Sequence, residues 1–363
     1  MKKATFLSVL AVLCVWVLTA AIPQGRPGMI VYPIAFYNLE NLFDTIHDVR
    51  MEMVDGVMTK VEDKNDYEYL PDGANVWGTM KYQAKLANMS KVLAEFATDR
   101  VPYGAAVVGV SEIENRRVLE DLLKQPALAN RGWQIVHEEG PDRRGVDCAF
   151  FYNPKLFKYQ SHKLVPYVYP PDEIEHKTRG FLVMTGTMGG ELIHFIVNHL
   201  PSRGAVSFYR ELGGKQIRAV KDSLQRDNPN CKIVIMGDMN DDPDDKSMAV
   251  SLGAKRKQED CGPQDLWNPF WDTLRKNGVG TLKYQGKWNL FDQIMITGNM
   301  LTGKDHSTLS YLRHEVFIRD YLLQQTGMYK GSPLRTHAAG VWLNGYSDHL
   351  PTIVYVGKYA PQK

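Results

Sequence analysis

The sequence feature that most constrains the fold is a series of short apolar, β-branched segments that alternate with stretches of helical periodicity. Strands are predicted over 31–37, 105–110, 146–152, 181–187, 192–197, 232–236, 291–296 and 352–356, and helices over 80–96, 118–123 and 207–224. Gly189 and Gly190 predict a hairpin between the fourth and fifth of these strands. Residues 44–72 are polar without a clear period and are predicted to form a long loop. No Pro- or Ser-rich linker divides the chain, so we predict one α/β domain that is partly antiparallel.

The first residues have the pattern of a secretory signal peptide. Lys2 and Lys3 precede an uncharged, mostly apolar stretch that ends in the small residues Thr19, Ala20 and Ala21. An uncleaved membrane anchor is the rival interpretation, because the stretch approaches the roughly 20 residues that a spanning helix needs. The small-residue end favours cleavage. We therefore predict a signal peptide over 1–21, a single domain over 22–363 and an exported protein without stable membrane insertion.

The charge balance excludes a strong global attraction to polyanions. The chain has 43 Lys and Arg against 41 Asp and Glu, and Lys2 and Lys3 account for the excess. After removal of the signal the chain is neutral, so no net field draws it onto nucleic acid or an anionic membrane. Any such binding would depend on a local patch.

Polar side chains lie at the ends of the predicted strands, where strands and loops meet. They are Asn38 and Glu40, Glu112, Asn198 and His199, Asp238 and Asn240, and Asp348 and His349, while Asp292 interrupts a further apolar run. Such strand ends are where α/β proteins place their chemistry. Buried carboxylates are costly unless they are paired, hydrogen-bonded or bound to a cation. Oxygen ligands without Cys favour Mg²⁺ or Mn²⁺ over Zn²⁺, and this set of residues indicates phosphoryl chemistry.

The order of these motifs resembles that of the endonuclease/exonuclease/phosphatase superfamily. This group includes pancreatic-type deoxyribonucleases, apurinic endonucleases, neutral sphingomyelinases and inositol polyphosphate 5-phosphatases. The resemblance runs from Phe36 to about Val356. It implies a four-layer α/β sandwich in which two packed mixed β-sheets are flanked by helices. It also implies a phosphoester hydrolase that depends on Mg²⁺ or Mn²⁺.

The resemblance also implies a role for each motif residue. The metal-binding candidates are Asn38, Glu40, Glu112 and Asp348; the catalytic candidates are His199, Asp238, Asn240, Asp292 and His349; the substrate- or phosphate-binding candidates are Asn198, Arg203, Tyr284 and Trp288. Asp292 is expected to orient His349, whereas Asp238, His199 and His349 all stay open as the general base.

Several positions have a second interpretation. Glu40 is either a metal contact or a solvated loop acid, and Glu114 is expected to be exposed because it alternates with Glu112 along the strand. The acidic run over 241–245 is expected to be a solvated turn. The loop over 280–288 either forms the rim of a cleft, as the resemblance implies, or is a strand pair with surface lysines.

The predicted function is that of a phosphodiesterase of nuclease type in which water attacks phosphorus in line. We expect a monomer that acts on a phosphodiester substrate, with nucleic acid among the candidates. His199 stands where apurinic endonucleases generally carry a Tyr, which weakens an abasic-site activity. The alternatives are a sphingomyelinase-like or inositol-phosphatase-like hydrolase of the same superfamily and, in a different class, a catalytically inactive exported binding module.

Overall fold

The computed structural model describes residues 28–173, 176–303 and 305–360, so the predicted signal peptide lies outside the described residues. The strands are β1 (Met29–Leu42), β2 (Val49–Val54), β3 (Val57–Asp63), β4 (Val107–Ile113), β5 (Gln134–His137), β6 (Asp147–Tyr152), β7 (Phe157–Val165), β8 (Phe181–Met188), β9 (Glu191–His199), β10 (Lys232–Asp238), β11 (Ala254–Lys255), β12 (Leu266–Trp267), β13 (Leu282–Tyr284), β14 (Lys287–Asn289), β15 (Asp292–Thr297), β16 (Ser310–Val316), β17 (His337–Ala338), β18 (Val341–Trp342) and β19 (Thr352–Tyr359). The α-helices are α1 (Thr79–Glu95), α2 (Arg116–Leu123), α3 (Ser207–Asp227) and α4 (Phe270–Arg275).

Two large mixed sheets form the centre of the fold. One has six strands in the order β16-β19-β1-β4-β6-β5, and the other has seven in the order β11-β12-β15-β10-β9-β8-β7. A parallel pair lies at the middle of each sheet, β1 with β4 and β10 with β9. β11 and β12 at the edge of the second sheet are also parallel, and all other neighbouring strands are antiparallel. The predicted α/β class and the predicted sandwich are therefore confirmed, and the Gly189-Gly190 hairpin joins β8 to β9 as expected.

The sheets pack face to face through β1 and β4 on one side and β10 and β15 on the other. Gly109 in β4 allows a close approach, since a Cβ atom there would lie only 2.5 Å from the Met236 Sδ atom of β10. A side chain at this position would separate the sheets. Helix α1 covers the outer face of the first sheet with Leu86, Met89 and Leu93, which belong to the main core.

A second apolar cluster lies on the outer face of the second sheet. Ile217 of α3 packs there with Ile196 of β9 and Ile235 of β10. This gives the helix, sheet, sheet, helix layering and leaves the ends of β1, β4, β9 and β10 to carry polar groups. Within the described ranges, no helix combines the length and the apolar character that crossing a bilayer requires.

The predicted loop over 44–72 is wrong in its middle, where β2 and β3 form an antiparallel hairpin. Asp55 and Gly56 sit at its turn, both with positive φ, which is the dipeptide and geometry of a two-residue hairpin turn. Both faces of the hairpin are largely exposed, so the alternation of apolar and polar residues that marks a half-buried strand is missing.

The expectation that Glu114 is exposed is wrong as well. Its side chain is 1% exposed and accepts a hydrogen bond of 2.8 Å from the Asp44 backbone N–H. The regular alternation of β4 stops before it, because Glu112 has a φ of 59° and the register shifts between Ser111 and Ile113. An irregularity of this kind is enough to turn a residue from the solvent side to the core side.

The acidic run over 241–245 is not a solvated turn throughout. Asp241 and Asp242 are buried, and Arg210 Nε lies 2.9 Å from Asp241 Oδ1. Asp242 Oδ1 accepts a hydrogen bond of 2.8 Å from the Leu290 backbone N–H. These carboxylates are satisfied by arginines and backbone groups and hold the turn after β10 in place.

Candidate active site

The two sheets meet at the ends of β1 and β10 through a hydrogen bond between side chains. Asn38 Nδ2 donates to Asp238 Oδ2 over 3.0 Å, and both residues are buried. Both side chains stand where their parallel strand pairs run into loops, the position at which α/β folds gather functional groups. This contact places two predicted site residues, 200 positions apart in sequence, at the same point.

His349 completes a compact group beside Asp238. Its Nδ1 atom lies 2.7 Å from Asp292 Oδ2, and its Nε2 atom lies 3.8 Å from Asp238 Oδ2. Ser347 fixes the turn, because its hydroxyl donates to the Asn38 carbonyl over 2.7 Å and accepts from the His349 backbone N–H over 3.1 Å. An Asp on one imidazole nitrogen orients the ring, so the other nitrogen faces the Asp238 carboxylate.

The electrostatics of this group follow from its burial. Burial raises the pKa of Asp238 to about 7, against the attraction of the His349 ring, and the neighbouring Asp292 adds to the rise. Burial alone would lower the pKa of His349, but the Asp292 and Asp238 carboxylates raise it well above its usual value. The two carboxylates thus favour the protonated form of His349, as expected for a buried imidazole in acidic surroundings.

His199 at the end of β9 differs from His349, because its pKa shifts in the opposite direction. Its Nε2 atom lies 3.5 Å from Asp238 Oδ2 and 3.8 Å from Glu112 Oε1. Burial lowers the pKa of its ring well below the usual value, and Arg179 and Arg144 lower it further. Its Nδ1 atom is buried and has no hydrogen-bond partner among the described residues. The surroundings of His199 therefore favour the neutral imidazole, whereas those of His349 favour the protonated one.

Glu112 lies next to this group at the end of β4, in a left-handed backbone conformation. Its Oε2 atom accepts the Asn41 backbone N–H over 3.0 Å and lies 3.5 Å from the Arg144 guanidinium. Glu40, Asn41 and Asn240 also have positive φ. Non-glycine residues in this region are strained, and such residues concentrate at functional sites.

Glu40 and Asp348 are joined by an arginine that the sequence analysis missed. Arg335 donates from Nε to Glu40 Oε1 over 3.2 Å and from Nη2 to Asp348 Oδ2 over 2.7 Å. Glu40 is buried, which excludes the solvated-acid interpretation, and its burial and the Asp348 charge raise its pKa to about 7. Arg335 lies in an irregular polar stretch, so no strand-end pattern identified it in the sequence.

Lys85 is the second cation that the sequence analysis missed. It belongs to α1, its side chain is 1% exposed, and its Nζ atom donates to Thr336 Oγ1 and to the Tyr346 carbonyl over 2.6 Å each. Burial lowers its pKa to about 8, although Glu40 and Asp348 act in the opposite direction. The available signal was the position of Lys85 on the apolar face of the helix, directly before the buried Leu86. The signal was missed because lysine is usually a surface residue.

Three predicted residues lie close to the site but are held by the protein. Asn240 donates from its backbone N–H to Asp238 Oδ1 over 2.9 Å and from its side chain to the Leu200 carbonyl over 2.9 Å. Asn198 is fully buried, donates to the Met236 carbonyl over 2.9 Å and keeps an unpartnered Oδ1 atom. Arg203 donates to Asp245 Oδ2 over 2.7 Å and to Asn289 Oδ1 over 3.1 Å. The catalytic role of Asn240 and the substrate-binding roles of Asn198 and Arg203 stay predictions.

The loop over 280–288 forms a strand pair that is attached to the site. β13 and β14 are antiparallel, Leu282 forms a β-bridge with His349, and the Thr281 hydroxyl accepts the Asp292 backbone N–H over 3.2 Å. Tyr284 at its tip is 64% exposed. Lys283 Nζ lies 5.5 Å from the ring centre of Trp288. The strand-pair interpretation is therefore confirmed, and the strand pair lies directly beside the catalytic candidates, whereas its place at the rim of a cleft stays a prediction.

The residues fit a divalent cation on one side of the site. Glu112 Oε1 and Asp348 Oδ1 have no hydrogen-bond donor among the described residues. His199 Nε2 lies 3.8 Å from the first of these oxygens and His349 Nε2 lies 4.0 Å from the second. Asp238, Asp292 and His349 offer ligand atoms within 4.8 Å of one another, and Asp292 Oδ1 is buried without a partner. Glu40 fits less well, because both of its oxygens already accept hydrogen bonds.

A second group of possible metal ligands lies apart from this site. It consists of His137, Glu139 and Asp147. His137 Nε2 lies 3.2 Å from Asp147 Oδ2, and the buried Lys64 ammonium pairs with Glu139. Lys64 already neutralises the group, so we interpret it as a structural ion-pair cluster.

Comparisons with known proteins identify the family and the fold. The profile of the Endonuclease/Exonuclease/phosphatase family matches residues 33–358. No curated protein matches the chain by sequence. Among solved structures, the chain is similar to ANGEL2, titled a 2′,3′-cyclic phosphatase, with a TM-score of 0.57 and 14% identity over 92% of this chain and 97% of that one.

Two further structures share the fold. An endonuclease/exonuclease/phosphatase family protein from Bacteroides thetaiotaomicron has a TM-score of 0.54 and 13% identity, over 92% of this chain and 99% of that one. TDP2 from D. rerio, complexed with a single-strand DNA product, has a TM-score of 0.51 and 14% identity, over 90% of this chain and 98% of that one. With the family profile spanning nearly all of the described residues, the chain belongs to the endonuclease/exonuclease/phosphatase family.

Proposed function

We propose that this protein is a divalent-metal-dependent phosphodiesterase of nuclease type, with Mg²⁺ or Mn²⁺ as its cofactor. The observation that carries the proposal is the Asp292, His349 and Asp238 group next to Asn38 and Glu112. A carboxylate-oriented imidazole beside a second carboxylate can serve proton transfer and charge stabilisation at one centre. The family fold and the ANGEL2 and TDP2 structures support a phosphoester substrate.

Each group has a distinct part in this proposal. Asp238 accepts the proton of the attacking water, because its carboxylate lies between Asn38 and the two imidazoles. His349, held through Nδ1 by Asp292, directs its Nε2 atom towards the phosphate and stabilises the charge that develops there. A cation bound by Glu112 and Asp348 would neutralise phosphate charge. Asn38, His199 and Asn240 keep the Asp238 carboxylate in a fixed position.

The metal requirement is the most direct test of this function. Hydrolysis of bis-(p-nitrophenyl) phosphate and of plasmid DNA should stop in EDTA. It should return when excess Mg²⁺ or Mn²⁺ is added, but not in buffer without metal. The control is the same EDTA treatment followed by dialysis without metal. Full activity in EDTA contradicts the proposal.

The substrate class is decided by a panel with one purified protein. DNA, RNA, sphingomyelin, inositol phosphates and phosphomonoesters should be compared at equal enzyme and Mg²⁺ concentrations, and we expect nucleic acid to be cleaved fastest. Faster cleavage of sphingomyelin or inositol phosphates would assign the protein to one of the other branches. An inactive protein that still binds one of these compounds would be a binding module.

Export and oligomeric state belong to the same proposal. The N-terminal pattern of Lys2, Lys3 and the following apolar stretch supports cleavage after residue 21 and export. We propose that the exported protein is a monomer. N-terminal sequencing of the protein recovered outside the cytoplasm should begin at Ile22, and light scattering should give the mass of one chain. An uncleaved N-terminus in the membrane fraction, or the mass of a dimer, contradicts this part.

A further inference from the structure

The side of the site formed by Glu40, Glu112 and Asp348 is called the carboxylate side here. It contains its own fixed cation, Arg335. Glu40 accepts hydrogen bonds on both oxygens, from Arg335 Nε over 3.2 Å and from the Thr336 backbone N–H over 2.7 Å. Each Glu40 oxygen thus has one of its two acceptor sites engaged, whereas Glu112 Oε1 and Asp348 Oδ1 accept no hydrogen bond among the described residues, so Glu40 is the weaker metal ligand of the three. Glu40 therefore holds Arg335 in place and is poorly suited to hold a second divalent cation.

Hydrogen bonds from buried residues fix the segment that carries Arg335. The buried Lys85 ammonium donates to Thr336 Oγ1 and to the Tyr346 carbonyl, so it ties together the two ends of the stretch that leads to Asp348. Glu40 receives the backbone N–H of Thr336 from the same stretch. Arg335 and Asp348 thus sit on a segment that a buried lysine and a buried glutamate hold together.

The Arg335 guanidinium keeps donors free towards solvent. Its side chain is 42% exposed, and it uses Nε for Glu40 and Nη2 for Asp348. Its Nη1 atom has no protein acceptor among the described residues. A guanidinium has five N–H donors in a planar fork that matches phosphate, so a fork fixed on one side by two carboxylates can present the other side to a substrate.

From this geometry we infer that Arg335 binds a phosphate oxygen of the substrate and that it, rather than a second metal ion, supplies the positive charge on the Glu40 side of the site. The site then uses one divalent cation and one arginine. This inference rests on the proposed phosphoester hydrolysis and adds the residue that contacts the phosphate. Glu40, Thr336 and Lys85 act through Arg335 as positioning residues.

Two binding measurements and one kinetic measurement test it. Mn²⁺ binding should be counted by equilibrium dialysis for the wild-type protein and for Glu40→Gln, and we expect one ion per chain in both.

Inorganic phosphate should be titrated by calorimetry in saturating Mg²⁺. Arg335→Gln should weaken phosphate binding by about tenfold to hundredfold, since a charge-assisted hydrogen bond of this kind is lost. Its KM for bis-(p-nitrophenyl) phosphate should rise by a similar factor while kcat changes less.

The matched control is Arg256→Gln. Arg256 is also 42% exposed and is paired with a carboxylate, Asp272, at 2.7 Å, but it lies outside the site. It should leave phosphate binding, KM and Mn²⁺ binding unchanged. Arg335→Lys keeps a charge without the fork, and it should bind phosphate with an affinity between those of the wild type and Arg335→Gln. The unfolding midpoint of each variant shows whether it is folded.

Three results overturn the inference: two Mn²⁺ ions in the wild type with one in Glu40→Gln, unchanged phosphate affinity in a folded Arg335→Gln, or equal losses in Arg335→Gln and Arg256→Gln. The binding measurements need no turnover. If the wild type hydrolyses no phosphoester, the proposed function fails, while phosphate and Mn²⁺ binding still decide the role of Arg335.

Discussion

The two sides of the candidate site differ in what opposes their negative charge. On the histidine side, Asp238 and Asp292 are met by two imidazoles and an amide, and no Lys or Arg among the described residues pairs with either carboxylate. On the carboxylate side, each acid has an arginine: Arg335 contacts Glu40 and Asp348, and Arg144 lies near Glu112. The first side can move a proton, because imidazole and carboxylate groups exchange protons near neutral pH, whereas arginine does not.

The difference also separates two ways of holding buried charge. The histidine side keeps its acids because they share protons and hydrogen bonds within one small group. The carboxylate side keeps its acids through fixed cations, one of which, Lys85, is fully buried. Removing a group from the first side should therefore change chemistry, and removing a cation from the second side should change stability or binding.

The largest effect is expected at His349. His349→Ala removes the group that Asp292 orients, and loss of one group that stabilises the developing charge typically lowers turnover by about 10²–10³-fold. The measurement is kcat for bis-(p-nitrophenyl) phosphate in saturating Mg²⁺, with circular dichroism to verify the fold. His176→Ala is the control, since that ring is 56% exposed and lies outside the site. Turnover within a few-fold of wild type would show that the histidine side does not carry the chemistry.

Lys85 should have the largest effect on stability. Lys85→Met leaves Glu40 buried beside Asp348 without its nearest buried cation, and removing one partner of a buried pair typically costs about 3–5 kcal/mol. Urea denaturation measures the free energy of unfolding. Lys91→Met on the same helix is the control, because Lys91 is exposed and its contact with the Tyr321 ring should contribute about 1 kcal/mol or less.

A double variant separates charge from packing at Lys85. Glu40→Gln/Lys85→Met removes both charges, so it should recover part of the stability that Lys85→Met loses. If the double variant is less stable than Lys85→Met by the full cost of a second independent change, the two residues are not coupled.

The smallest effect is expected at the hairpin beside the histidine side. Tyr284→Ala removes an exposed ring at the tip of β13, and stacking of one base on an aromatic side chain is worth about 1–3 kcal/mol. KM for single-stranded DNA should rise, while KM for bis-(p-nitrophenyl) phosphate, which has no base to stack, should change little. Tyr329→Ala is the control for loss of an exposed tyrosine elsewhere. An equal rise for both substrates would contradict a role in base stacking.

The sequence predicted the histidine side better than the carboxylate side, and the reason is local. Asp238 and His199 each end an apolar strand, and His349 stands just before another, so a strand pattern of a few residues identifies them. Arg335 and Lys85 have no such pattern, because their roles depend on contacts with residues up to 295 positions away. Glu114 failed for a related reason, since the positive φ at Glu112 breaks the alternation on which the expectation relied.

The Mg²⁺ dependence of two variants tests the division of the site most directly. Glu112→Gln weakens a metal ligand, so the Mg²⁺ concentration for half activity should rise and excess Mg²⁺ should restore most of the rate, since mass action offsets a lost affinity. Asp238→Asn removes the proton acceptor and raises the barrier itself, so its maximal rate should stay low at every Mg²⁺ concentration. Rescue of Asp238→Asn by excess Mg²⁺, without rescue of Glu112→Gln, would contradict the account by reversing the two roles.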